Sequence, residues 1–213
     1  MPVDLAAGAH EAGAASLGVG PWPGGEAAWP DDPRYDRDLL AAGDRRNVAD
    51  RYRYWTIDAI RADVASRRLP FEVAVENLGH DFNIGSIVRT ANALGAARVH
   101  IVGRRRWNRR GAMVTDRYID VDHLPDAAAL AAHCRGEGLA LVGVDNVAGS
   151  VPLETARVPA RACLVFGEES SGLSREMIEA CEMIVEITQR GSTRSMNVGH
   201  AAAIAMWAQV LRW

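Results

Sequence analysis

Lysine is absent from this 213-residue chain: all 24 of its basic residues are arginine. That excludes a phosphate-binding P-loop, which needs a Gly-Lys-Ser/Thr step, and no GxGxxG dinucleotide fingerprint stands in for it. Cysteine is scarce. Cys134, Cys163 and Cys181 form no CxxC pair and sit in apolar or helical contexts. Small buried thiols in a reducing compartment follow from that. The spacing of His133 and Cys134 fits no zinc pattern, so no metal is expected. No apolar run approaches the roughly 20 residues that span a bilayer. The N-terminus lacks the basic region and apolar core of a secretion signal. A cytoplasmic protein without a membrane partner is therefore expected. With a net charge of −3, bulk electrostatics gives no case for nucleic acid. The distribution of charge says more: Arg104, Arg105, Arg106, Arg109 and Arg110 flank Trp107 within seven residues. Such a segment is either a solvated loop or a phosphate-binding patch carrying one stacking aromatic.

Residues 1–33 are rich in Ala, Gly and Pro and read as a disordered tail. Residues 34–70 are strongly charged, with Leu39, Leu40, Val48, Trp55, Ile57 and Ile60 spaced through them, and read as a helical extension joined to the core by a turn at Pro70. From Phe71 to Trp213 the pattern alternates strand and helix. Residues 71–76, 97–102, 139–144, 162–166 and 183–187 are short apolar runs, and 118–121 is a weaker one. Ile84, Ile87, Val88, Ala91 and Leu94 follow helical spacing, with Gly95 placed to end the helix. Residues 127–134, 174–181 and 198–211 read as further helices, the second N-capped by Ser174. Continuous apolar strands between helices imply an α/β fold with a mostly parallel sheet covered on both faces.

Three segments join a strand end to a helix start, where open α/β sheets place their ligands. The first, 77–90, puts Asn83 at the helix start and Arg89 almost two turns later. Taken alone, Asn83 is as well read as an N-cap and Arg89 as a solvated helix residue. If Asn83 sits in the preceding loop as a cap does, both side chains can reach the strand-end cleft. The second, 165–174, is a loop with Gly167 and Gly172 near its ends, which permits close backbone approach to a ligand; otherwise it is an ordinary acidic turn. It is no hydrolase elbow, since Ser171 lacks the preceding glycine that such a turn requires. The third, 187–198, is a polar loop opening a helix whose first turn is nearly all small residues; it is equally a Ser or Asn cap on a buried helix.

Together and in this order, the segments resemble the signature motifs of the SpoU (TrmH-like) family of RNA 2′-O-methyltransferases, within the SPOUT superfamily. Asn83, Gly85, Arg89 and Thr90 match the first motif. Gly167, Glu169, Gly172, Leu173 and Ser174 match the second, and Ser195, Met196, Asn197 and Val198 the third. The resemblance covers 71–213 and leaves the first 70 residues outside. Thr188 stands where the family usually has Pro, and Gly199 and His200 where it often has Ser-Val, which loosens assignment to a subgroup.

The resemblance implies a C-terminal trefoil knot, which composition alone never shows because true knots are rare. It implies S-adenosylmethionine (SAM) as cofactor, held near Gly167, Ile187 and Met196, and a homodimer with the closing and first-motif helices near its interface. The stripe of Ile204, Trp207, Ala208 and Leu211 suits an interface and suits a core equally well. The implied reaction moves a methyl group to a ribose 2′-hydroxyl of tRNA or rRNA. Arg89 would be the catalytic residue, with Asn83 positioning it or the ribose, and Glu169, Ser195 and Asn197 ordering the site. Arg104, Arg105, Arg106, Trp107, Arg109 and Arg110 would lie at an RNA-facing rim. A non-catalytic RNA-binding protein that kept the fold is the alternative, and intact Asn83, Arg89, Glu169, Ser195 and Asn197 argue against it.

Overall fold

The structure, a computed structural model, describes residues 18–77 and 83–213. Residues 1–17 of the expected tail and 78–82 of the first strand-to-helix segment lie outside the described residues. The chain divides into two units, the first ending at Ile60 and the second beginning at Arg61.

In the first unit the described part of the expected tail is ordered. Val19 bridges Asp44 in antiparallel fashion, and Trp22 packs edge-on against Tyr35 and Tyr54, with ring centroids 5.7 and 5.2 Å apart. Composition undervalued these aromatics, which give a glycine-rich stretch something to bury. Helix α1 (Arg37–Ala42) is capped by the Asp36 carboxylate, which accepts from two backbone N–H groups. Asp44 is fully buried, and accepts hydrogen bonds from Arg46 (2.7 and 2.9 Å) and from the Tyr54 N–H (2.9 Å). Burial alone would raise its pKa; these bonds outweigh it and hold the carboxyl at about 2. Helix α2 (Ile57–Ala65) follows. Short 3-10 turns at Glu26–Ala28 and Asp50–Tyr52 complete this stretch.

The second unit runs β1 (Leu69–Asn77), α3 (Ile84–Ala93), β2 (Ala96–Gly103), β3 (Asp120–Leu124), α4 (Ala127–Glu137), β4 (Ala140–Val144), β5 (Val151–Pro152), β6 (Ala162–Phe166), α5 (Arg175–Ala180), β7 (Met183–Glu186) and α6 (Val198–Val210). Pro70 is not a turn: it lies inside β1, where the register slips between Leu69 and Glu72. Proline has no N–H to give the ladder, so the strand accommodates it where pairing begins. The weak run expected at 118–121 pairs slightly later, as β3. Among the described residues the seven strands of the sheet are all parallel, in the order β3-β2-β1-β6-β4-β7-β5.

Alternation along β1 assigns the two faces. Val73 and Val75 join Ile84, Ile87 and Val88 of α3 and Ala202, Ala205 and Met206 of α6. Ala74 points the other way, to Leu130 of α4 and Met177 of α5. Alanines on α6 let it lie close to the sheet, and Ile204, Trp207 and Leu211 are left outside, at 44%, 54% and 68% exposure. Those three side chains of the stripe are therefore surface, while Ala208 packs against the core. Cys134 and Cys163 are buried free thiols; burial, with the charge of Glu76, pushes the Cys181 thiol up to about 12. Among the described residues no helix is long and apolar enough to cross a membrane.

Candidate active site

The carboxyl ends of β1, β4, β6 and β7 converge, and the second segment is tied there from both sides. After β6 the chain turns back on itself: the Glu168 N–H donates to Gly172 O (3.1 Å), and the Gly172 N–H to Glu168 O (2.9 Å). Gly167 is obligatory at the base of this turn, because a Cβ there would fall on the backbone of Gly172 and Leu173. Two carboxylates hold the turn. Buried Glu76, at the end of β1, accepts from the N–H and the Oγ of Ser174, each at 2.7 Å. Asp145, just past β4, accepts from the Leu173 N–H at 2.8 Å. Ser174 in turn caps α5, as its position suggested. Asn146, next to Asp145, donates to the Arg194 carbonyl (2.5 Å), fastening the third segment. Glu76, Asp145 and Asn146 were missed in the sequence. Their signal is position alone: each ends or follows an apolar strand beside a motif.

The three motifs meet in one hydrogen-bonded triangle. Asn83 Nδ2 donates to Glu169 Oε2 (2.7 Å). Asn197 Nδ2 donates to Glu169 Oε1 (2.9 Å) and to Asn83 Oδ1 (3.1 Å). Asn197 Oδ1 caps α6, accepting from the N–H groups of Gly199 and His200. Asn83 occupies the N-cap position of α3 but its side chain makes no capping bond, so the cap reading of that residue fails. Its amide is spent on Glu169. An exposed carboxylate thus receives two amide donors from two different helix starts, which fixes the second loop against the other two.

Beside this triangle lies a cleft of about 380 Å³, lined by Gly167, Glu169, Ile187, Ser195 and Met196 together with Asp145 and Asn146. Its size suits a small-molecule cofactor. All three residues expected to hold the cofactor, and two of those expected to order the site, therefore line one cleft. Arg89 does not join them. It is exposed on α3 and lines a separate open groove of about 560 Å³ with Ser86, Thr90, Gly111, Ala203 and Trp207. At the strand ends Asn83 turns to Glu169, while Arg89, further along the helix, faces solvent.

The arginine-rich loop leaves β2 beside the end of β1. Buried Asn77 donates to the carbonyls of Arg104 (2.6 Å) and Arg106 (3.0 Å). Gly85 of α3 lets the loop's Gly111 and Ala112 backbone close in. Arg104, Arg105, Arg106, Arg109 and Arg110 are exposed. Arg109 pairs with Asp116 (3.1 Å) and lies over the Trp107 ring. Trp107 itself is corrected as a stacking aromatic: it is 8% exposed and belongs to the core. An indole in a loop anchored at both ends stabilises most by burial.

Comparison with known proteins agrees with this geometry. Residues 70–207 match the model of the SpoU rRNA Methylase family. An uncharacterized tRNA/rRNA methyltransferase of Mycolicibacterium vanbaalenii is 31% identical, over 84% of this chain and 60% of that protein. The tRNA (guanosine(18)-2′-O)-methyltransferase of Escherichia coli K12 is 24% identical, over 68% of this chain and 65% of its own length. The chain thus spans under two thirds of these relatives. Among solved structures, the SpoU methyltransferase AviRb of Streptomyces viridochromogenes, in complex with AdoMet, superposes with a TM-score of 0.62 at 24% identity, covering 70% of this chain and 63% of that one. By the match across most of its second unit, from the start of β1 into α6, this chain is a member of the SpoU rRNA methylase family.

Proposed function

We propose that this protein transfers the methyl group of SAM to a ribose 2′-hydroxyl of tRNA or rRNA. The Asn83–Glu169–Asn197 triangle carries the reading: it gathers three distant motifs at the rim of a cleft of cofactor size. The cleft fits SAM. Gly167 lets the turn back onto Gly172 and Leu173 close at the cleft's edge, Ile187 and Met196 give apolar walls, and carboxylates at its edge suit a cation. When bound, SAM supplies the electrophilic methyl. The protein's part is to align the 2′-oxygen with it and to stabilise the charge that develops there. Arg89 keeps its proton, so it serves as a donor: exposed outside the cofactor cleft of its own chain, its guanidinium grips an RNA phosphate and meets the forming oxyanion once RNA bridges the groove and the cleft, while the phosphate or a water takes the proton. Asn83, Glu169 and Asn197 act as positioning residues, and Ser195 closes the wall of the cleft.

The wider assembly follows from the same reading. Strand β7 returns between β4 and β5 after the chain has passed through β6, an interleaving that suits a trefoil knot. The exposed α6 stripe suits a homodimer, and the first unit suits an appended RNA contact, in a cytoplasmic enzyme.

Calorimetry on SAM-free protein should show about one site per chain in the micromolar range, near −8 kcal/mol; no heat at millimolar SAM contradicts the proposal. Replacing Arg105, Arg106 and Arg110 with Gln should weaken RNA binding and lower its salt slope by roughly 0.7 to 0.9 for each phosphate no longer neutralised. The melting temperature should hold, because exposed charges contribute little to folding. A large fall in melting temperature with unchanged RNA affinity would make the loop structural.

A further inference from the structure

On the sheet face opposite α3 and α6, three side chains from three separate segments converge. Glu72 (β1), His100 (β2) and His133 (α4) bring their ligand atoms within 4.8 Å of one another. Both imidazoles reach one carboxylate oxygen: His100 Nε2 and His133 Nε2 each lie 2.7 Å from Glu72 Oε2. The rings tilt at 59° with centroids 4.5 Å apart. The cluster sits among apolar neighbours on that face, including Ala74, Leu130 and Cys134. His100 is 1% exposed and Glu72 8%, while the His133 side chain keeps 21% and opens one side to solvent.

We propose that Glu72, His100 and His133 form a zinc site. Two imidazoles and one carboxylate are a recurrent zinc set that leaves a fourth position for water. Mg²⁺ and Ca²⁺ prefer oxygen ligands throughout and are disfavoured here. A buried carboxylate with two imidazoles is an expensive way to fill an apolar layer, since well-packed hydrophobic residues often serve as well or better. Zinc gives the cluster a purpose: it staples α4 to β1 and β2.

The geometry needs a small adjustment. Ligands about 2.05 Å from a tetrahedral zinc stand roughly 3.3 Å apart, so each Nε2 must retreat from Oε2 by roughly 0.6 Å. His133, on an outer helix and partly exposed, has room for that. Without the ion each Nε2 carries the proton it donates to Glu72, because an ionised carboxylate only accepts. Binding moves that proton to Nδ1 on each ring. The His133 ring is partly exposed. For His100, Nδ1 is a buried atom with no hydrogen-bond partner, a mismatch that weakens the site relative to zinc centres whose ligands are all hydrogen-bonded from behind.

The test is titration of tag-free, chelator-treated protein with zinc chloride, followed by calorimetry and by thermal melting. One zinc per chain is expected, with a higher melting temperature, because the ion binds only the folded state. Glu72→Gln and His133→Ala should each weaken binding at least about tenfold. His123→Ala, outside the cluster, should bind as wild type. Melting of the ion-free variants shows whether they fold, and cobalt substitution gives a second readout through visible bands of a tetrahedral site, lost in both variants if unfolding is not the cause. No zinc binding at millimolar metal, or equal affinity in wild type, Glu72→Gln and His133→Ala, overturns the proposal.

Discussion

Replacing Gly167 with alanine is expected to abolish SAM binding. The single added carbon would occupy the space of the Gly172 and Leu173 backbone, and backbone cannot swing aside as a flexible side chain can. The turn from Glu168 to Gly172 must open, and Glu169 rides on it. Asn83 and Asn197 then lose their shared acceptor, and the cleft loses a wall. Overpacking of this kind costs about 1–3 kcal/mol of stability, so the variant should melt lower yet remain folded. Calorimetry with SAM and a thermal melt check both points. SAM affinity within about threefold of wild type would remove the turn from the cofactor site.

Arg89→Ala should behave differently. Turnover should fall by about 10² or more, the scale of losing one oxyanion donor, while SAM affinity hardly moves because Arg89 lies outside the cleft. Arg89→Lys should recover little, since a point charge does not reproduce a planar two-pronged donor. The melting temperature should stay near wild type, as the side chain is exposed. Single-turnover methyl transfer to RNA, measured beside SAM binding, separates these effects. Activity within about threefold of wild type for Arg89→Ala, under 1 kcal/mol of barrier, would assign Arg89 to the surface alone.

The second unit was legible because its strands are continuous apolar runs and its helices carry regular stripes. The runs at 162–166 and 183–187 needed no tertiary knowledge. Strand β5 escaped because it is two exposed residues, Val151 and Pro152, held by pairing with β7 rather than by pattern. Pro70 misled because its rule is local, whereas the register slip that tolerates it belongs to the sheet. Ordering of 18–33 depends on Trp22 meeting Tyr35 and Tyr54, neighbours that composition does not encode. In the site, the motifs named Gly167, Ile187, Ser195 and Met196, and these do share a cleft. What Asn83 does with its amide was not readable, since a cap and a bond to Glu169 look alike in sequence. Trp107 looked like a stacking residue because arginines surround it, yet both ends of its loop are anchored and its ring is buried. Glu72, His100 and His133 come from three segments with no common spacing, so only the parallel register and the packing of α4 bring them together.

The most direct measurement uses methyl-labelled SAM, purified protein and total RNA from cells lacking it, with the RNA digested to nucleosides afterwards. Label should appear in a single 2′-O-methylribonucleoside, and should disappear with Arg89→Ala and with Gly167→Ala. Label on a base, or none on RNA while SAM binds normally, would contradict ribose 2′-O-methylation by this protein.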